Sequence, residues 1–311
     1  MKNLKKNNLT NRLSTLNEAQ SSGAVYSAVA VLPVLFSFAF LIFIAVTGLA
    51  TGDYTTSNWY LYASFLIPQV AFACILVCFI KAGKTSVKEI VKLPKWYYFI
   101  IAIQLQIGLL SLSELNLWFI KLLSGVGYEE KPVLIPSMDG AGFFGVLLVI
   151  AVLPAVLEEL LFRGLLLKGL KPCGELFAVL VCGALFALYH QKPEQTVYQF
   201  CCGAAFALVA LKSGSVLPTM LAHFFNNAWI LVMAKFSLTL DAIYLPFLIF
   251  SAFCLVLSLS VLIFVDKKRV GEVHLKEKQN AKTEIKDFLF FAVIGISTCG
   301  LSWLLSLASG L

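Results

Sequence analysis

Apolar residues fall in nine long blocks along this chain, separated by short polar stretches. They run roughly 24–49, 59–80, 96–123, 141–167, 176–190, 195–211, 216–234, 241–265 and 288–307. A helix needs about 20 apolar residues to cross a bilayer. The pattern therefore predicts an all-α, polytopic membrane bundle of eight or nine spanning helices. The fifth and sixth blocks are short and could form one broken unit. The first block is longer than a signal-peptide core and follows 23 polar-rich residues, so it is expected to be retained.

Basic residues predict the orientation. With the N-terminus inside, the segments 1–23, 81–95, 168–175, 212–215 and 266–287 hold 19 Lys or Arg. The opposite connections hold Lys121, Lys131, Lys192 and Lys235. This bias places the N-terminus in the cytoplasm. Trp59, Trp96 and Trp118 fall at block ends, where interfacial aromatics belong. The polar N-terminal segment 1–23 reads as loosely ordered, and 266–287 as a solvated cytoplasmic linker.

Composition removes the alternatives. Hydrophobic residues make up 59% and charged residues 13% of the 311 positions, against a usual charged share of about 25%. Mean hydropathy is +0.87. A soluble enzyme, a disordered chain and a nucleic-acid-binding module are all excluded. The net charge of +7 fits lysines held on one side of a membrane. The eight cysteines lie in or beside apolar runs, contain no CxxC, and read as packing residues.

Against this background a few polar residues stand out, because an ionisable group inside a span is expensive. The fourth block carries Glu158, Glu159 and Arg163; the fifth ends in Phe186 and His190; the seventh carries His223 and Asn227. Positions four apart share a helix face. Glu159 and Arg163 are so placed and predict a structural ion pair. Glu158 points about 100° away and is left to face a polar cavity. His223 and Asn227 share a face, and Phe186 can wall the His190 ring. Gln104 and Gln106 in the third block read as bridges between helices. Glu114 lies near a span end and His274 in the charged linker, where neither is expected to do chemistry.

Taken singly, each of these groups could simply staple helices together. Together they permit two chemistries. In one, Glu158 is a general base that, with His190, orients and deprotonates a water, while His223 and Asn227 stabilise an oxyanion. In the other, Glu158, His190 and His223 ligate a zinc ion that activates the water. No HExxH is present. The residues favour the metal-free route, with zinc as the alternative cofactor.

The motifs Glu158-Glu159-xxx-Arg163, Phe186-xxx-His190 and His223-xxx-Asn227, with the loop Ser213–Pro218, resemble those of the CPBP family. These are the CAAX-protease and bacteriocin-processing intramembrane proteases, also called the Abi family. The resemblance covers about 141–235. It implies a four-helix catalytic core there, accessory helices over 24–140, and C-terminal helices with a linker over 236–311. It makes Glu158, His190 and His223 catalytic, Asn227 an oxyanion partner, and Glu159 with Arg163 a supporting pair. It implies a multi-pass protein of the bacterial plasma membrane, in contact with membrane lipids and acting on a hydrophobic or lipid-anchored peptide or protein. The family also contains non-proteolytic scaffolds or regulators that bind a sensor kinase or a cell-wall enzyme, and bacteriocin self-immunity proteins; mid-membrane polar groups also suit a transporter.

One tension follows. With straight helices His190 falls near the outer face, while Glu158 lies about 15 Å from Lys168 at the inner face. Pro154, Pro193 and Pro218 lie near the motifs, so at least one of these helices is expected to be broken or short.

The topology is checked by cysteine labelling in intact cells. Gln279→Cys should be shielded and Gly310→Cys labelled; labelling of Gln279→Cys from outside contradicts it.

Overall fold

The computed structural model describes residues 9–265 and 281–311. The first eight residues and the stretch 266–280, with His274 and Gln279, lie outside the described residues. Among the described residues every regular element is helical.

The nine apolar blocks correspond to nine helices. They are α1 (Glu18–Thr47), α2 (Asn58–Lys81), α3 (Tyr97–Gly125), α4 (Gly142–Cys173), α5 (Glu175–Tyr189), α6 (Thr196–Ser213), α7 (Leu217–Lys235), α8 (Asp241–Phe264) and α9 (Ala281–Gly310). Seven of the nine are long and apolar enough to cross a membrane; α5, with 15 residues, and α7 are the other two. Many large apolar side chains on α1, α8 and α9, such as Phe38, Phe253 and Phe290, face outward. Such surface is untenable in water and natural against lipid. The protein is therefore an integral, multi-pass membrane protein.

Two helices begin earlier than the apolar pattern predicts. Helix α1 starts at Glu18 because Asn17 and Gln20 form a reciprocal capping box: Asn17 Oδ1 accepts from Gln20 N at 2.8 Å, and Gln20 Oε1 from Asn17 N at 3.1 Å. Asn17 also donates to Asp287 at 2.6 Å, tying the start of α1 to α9, which begins at Ala281 rather than Phe288. Leu9–Ser14 is a short helix. The N-terminal polar segment is thus mostly helical from Leu9 onward, contrary to the loose ordering read from its polarity.

The lysine-rich segments meet at one end of the bundle. Lys168 pairs with Glu18 at 3.1 Å, Lys84 donates to Ser14 O at 2.9 Å, Lys212 pairs with Glu175 at 2.9 Å, and Val216 N donates to Ile90 O at 3.2 Å. The other connections meet one another in turn. Ser137 N donates to Asn58, Lys235 pairs with Asp139, and Asn116 and Tyr128 both donate to Glu194. The Tyr128 phenol, in the 126–141 connection, is held above its ordinary range by burial and by the Glu194 carboxylate.

Helix α1 packs on α9, α5 on α6, and α7 on α3 and α4. The α5–α6 contact is closest at Gly183 and Gly203: a Cβ on Gly183 would lie 2.9 Å from Ala204 N and Phe200 O, and one on Gly203 2.9 Å from Gly183 Cα. Small residues permit such backbone approach in membranes. Helix α5 rises only about 22 Å, short of the roughly 30 Å hydrocarbon core. It ends at Tyr189, the chain turns through Gln191 with φ 56°, and α6 begins at Thr196. His190 is therefore held inside the bundle, which resolves the depth conflict: the fifth helix is short and the fourth is continuous.

Candidate active site

The site begins with an irregularity in α4. Leu147–Val152 and Leu160–Leu166 are π-helical, and Leu153–Glu159 between them is α-helical. Such π turns recur at functional sites. Pro154 has no N–H, so the carbonyl four residues back loses its α-helical donor. That carbonyl is Ile150 O, and Asn227 Nδ2 donates to it at 3.0 Å. A proline on α4 thereby specifies a partner on α7.

Further along α4, the Arg163 side chain is completely buried. Its Nη1 lies 2.8 Å from Glu159 Oε1, and its Nη2 donates to Gly203 O at 3.2 Å. The guanidinium sits over Phe186 at 4.4 Å, Phe206 at 5.5 Å and Phe162 at 6.0 Å. The i,i+4 pair predicted from spacing is present, and three aromatic faces complete the cation's environment.

Glu159 does more than neutralise Arg163. The same Oε1 accepts from His223 Nδ1 at 3.0 Å. The supporting carboxylate therefore also holds the His223 ring, and with Nδ1–H so committed, Nε2 points elsewhere. It points at Glu158, whose Oε2 is 3.9 Å away. Glu158 is 7% exposed, and its Oε2 has no hydrogen-bond partner in the protein. The two adjacent glutamates thus differ as their angular separation predicts: Glu159 commits its Oε1 to a cation and an imidazole, and Glu158 faces the cavity with neither hydrogen-bonded to it.

His190 is held in the same way from another helix. Its Nδ1 donates to Phe186 O at 2.8 Å, and its ring meets the Phe186 ring edge-on at 4.7 Å. Phe186 also touches the His223 ring at 6.0 Å. Both imidazoles therefore have Nδ1 anchored and Nε2 available. An orienting acid for His223 could not be found along its own helix, because it comes from α4.

Glu158, His190, His223 and Asn227 all line one cavity of about 930 Å³. Its walls are mostly apolar, including Phe65, Val149, Trp229, Ile230 and Phe247. It reaches the end of the bundle opposite the lysine-rich segments, where Asn116, Lys192, Leu240 and Tyr244 line it. Two polar participants, Asn226 and Tyr198, were missed in the sequence. Asn226 and Tyr198 join Asn227, and Gln106 bonds to both Asn226 and Tyr198 as an interhelical bridge. Glu194, just past His190, is buried under Tyr128. Glu114 accepts from Tyr244.

Among the described residues no three His, Cys, Asp or Glu side chains stand together as ligands for one metal ion. None of the eight cysteines is in a disulfide.

Comparison with known proteins bears on the part of the chain that carries the site. Residues 140–229 match the family model of the type II CAAX prenyl endopeptidase Rce1-like proteins. The matched stretch contains Glu158, Glu159, Arg163, His190, His223 and Asn227, and it agrees with the CAAX-protease resemblance of the motifs. No curated protein and no solved structure matches the chain.

The buried pair makes a direct prediction. Removing one partner of a buried ion pair costs about 3–5 kcal/mol, so Glu159→Gln should lower the thermal unfolding temperature and the folded yield in detergent. Glu158→Gln, which removes no protein hydrogen bond of Oε2, should leave both nearly unchanged. Equal unfolding temperatures for the two variants would contradict this division.

Proposed function

We propose that the protein is an intramembrane endopeptidase that hydrolyses a peptide bond of a membrane-associated or hydrophobic peptide, using a water activated by Glu158. The observation that carries this reading is the free, buried Glu158 Oε2 facing His223 Nε2 at 3.9 Å on the wall of an apolar cavity. The gap is too long for a direct hydrogen bond and suits a shared water. A buried carboxylate that lines a cavity and has no cation bonded to it is costly to keep for scaffolding alone. The match to CAAX endopeptidases supports the reaction class.

In the proposed reaction Glu158 takes a proton from water, and the oxygen adds to the scissile carbonyl carbon. His190 Nε2, unprotonated while Nδ1–H binds Phe186 O, accepts the water's second proton in a hydrogen bond. The carbonyl oxygen becomes an oxyanion, stabilised by the remaining Asn227 N–H and, when His223 is doubly protonated, by its Nε2–H. Collapse breaks the C–N bond, and the proton held on Glu158 passes to the leaving amine. Each step uses the chain's own groups. The cavity takes an apolar segment, which fits a CAAX-type, bacteriocin or pheromone precursor.

General-base catalysis contributes about 10²–10⁴-fold. Glu158→Gln should therefore lower the cleavage rate of an apolar peptide by at least about 10²-fold with folding intact. Cleavage should persist in a metal-free preparation. Loss of activity on chelation, restored by zinc at one ion per chain, would replace this route with a Glu158, His190 and His223 zinc site.

A further inference from the structure

Gln106 lies on α3, outside the residues that match the endopeptidase family, and is completely buried. We propose that Gln106, acting with Tyr198 and Asn226, is a positioning residue that sets which end of the Asn227 amide faces the cavity. This rests on the reading of Asn227 as an oxyanion donor.

An asparagine side chain has two ends of nearly equal shape and opposite polarity. Only the N–H end stabilises an oxyanion; the oxygen end repels it. Packing cannot choose between them, so hydrogen bonds must. Gln106 Nε2 donates to Asn226 Oδ1 at 2.7 Å and to Tyr198 OH at 3.2 Å. Tyr198 OH donates to the same Asn226 Oδ1 at 2.9 Å. With its oxygen occupied by two donors, Asn226 has only its Nδ2 to offer onward, and this donates to Asn227 Oδ1 at 3.0 Å. Asn227 then turns its Nδ2 to Ile150 O at 3.0 Å and keeps one N–H in hand on the cavity wall.

The chain is polarised from both ends in the same sense. At one end stands Gln106, a donor from an accessory helix. At the other stands the Ile150 carbonyl, which Pro154 leaves without its α-helical partner. Reversing any one amide would set oxygen against oxygen, or N–H against N–H, at its neighbours. Gln106 Oε1 has no partner in the protein, so the orientation of Gln106 is held by what its Nε2 supplies to Asn226 and Tyr198.

The test uses full-length protein in proteoliposomes and an internally quenched apolar peptide, chosen from a library as one the unaltered protein cleaves. Gln106→Met with Tyr198→Phe removes both donors to Asn226. It should lower kcat about tenfold, part of the roughly 10²–10³ that a lost oxyanion donor costs, with KM within about twofold. In an Asn227→Ala background the same pair should cause no further loss, because the relay acts only through Asn227. Losses that multiply in that background, or an unchanged kcat, would overturn the proposal. Should Gln106→Met fail to fold, Tyr198→Phe alone carries the same cycle.

A second measurement is independent of peptide cleavage. In protein labelled with ¹⁵N-asparagine, the Asn227 side-chain amide signals, identified by their absence in Asn227→Asp, should shift in Gln106→Met or Tyr198→Phe. Unshifted signals would overturn the relay. If instead Glu158→Gln keeps the full cleavage rate, the hydrolytic reading fails, and the amide signals still decide the relay.

Discussion

A permanently charged guanidinium inside a membrane bundle must be neutralised, and Arg163 imposes that demand on four helices. Glu159 on its own helix supplies the charge. Gly203 on α6 supplies a carbonyl at 3.2 Å, and the close α5–α6 approach at Gly183 and Gly203 belongs to the same contact. Phe186 and Phe206 bring α5 and α6 against the cation's faces. His223 of α7 then closes on the carboxylate that Arg163 holds. Breaking the pair leaves an uncompensated charge in a medium that cannot solvate it. The interaction therefore fixes helix positions as well as two side chains.

From that constraint the division of labour between adjacent acids follows. One helical step separates Glu158 from Glu159, and a step of about 100° puts them in different surroundings. Glu159 gives one oxygen to both a cation and an imidazole. Glu158 faces the cavity and the far nitrogen of that same imidazole. A structural pair thus aims a functional ring, and the ring aims at the acid left free. On the other side, Pro154 exposes a carbonyl on α4 that Asn227 of α7 answers. The α4–α7 interface is thus tied both about two turns before Glu158–Glu159, at Ile150, and at Glu159 itself.

Much of this was legible along the chain, because membrane helices carry their signals locally. The nine apolar blocks became nine helices, and the i,i+4 spacing of Glu159 and Arg163 became a contact at 2.8 Å. Basic segments grouped by alternation meet at one end of the bundle. What stayed hidden lies between helices. That Glu159 orients His223, that Phe206 cups Arg163, and that Gln106 reaches Asn226 all depend on how α3, α4, α6 and α7 face each other, which no single helix's periodicity records. Helix starts were misjudged where hydrogen bonding overrides polarity, as in the Asn17–Gln20 capping box. The depth conflict between Glu158 and His190 was a sign of the short α5, whose 15 residues no straight full-length span would predict.

The central claim is that Glu158 activates a water and never bonds to the substrate. Single-turnover cleavage in H₂¹⁸O, with mass spectrometry of both product and protein, tests it most directly. A water nucleophile puts one ¹⁸O in the new carboxyl group of the product and none in the Glu158 side chain. Label in the Glu158 carboxylate would show an acyl-enzyme anhydride hydrolysed at that residue and would contradict the account.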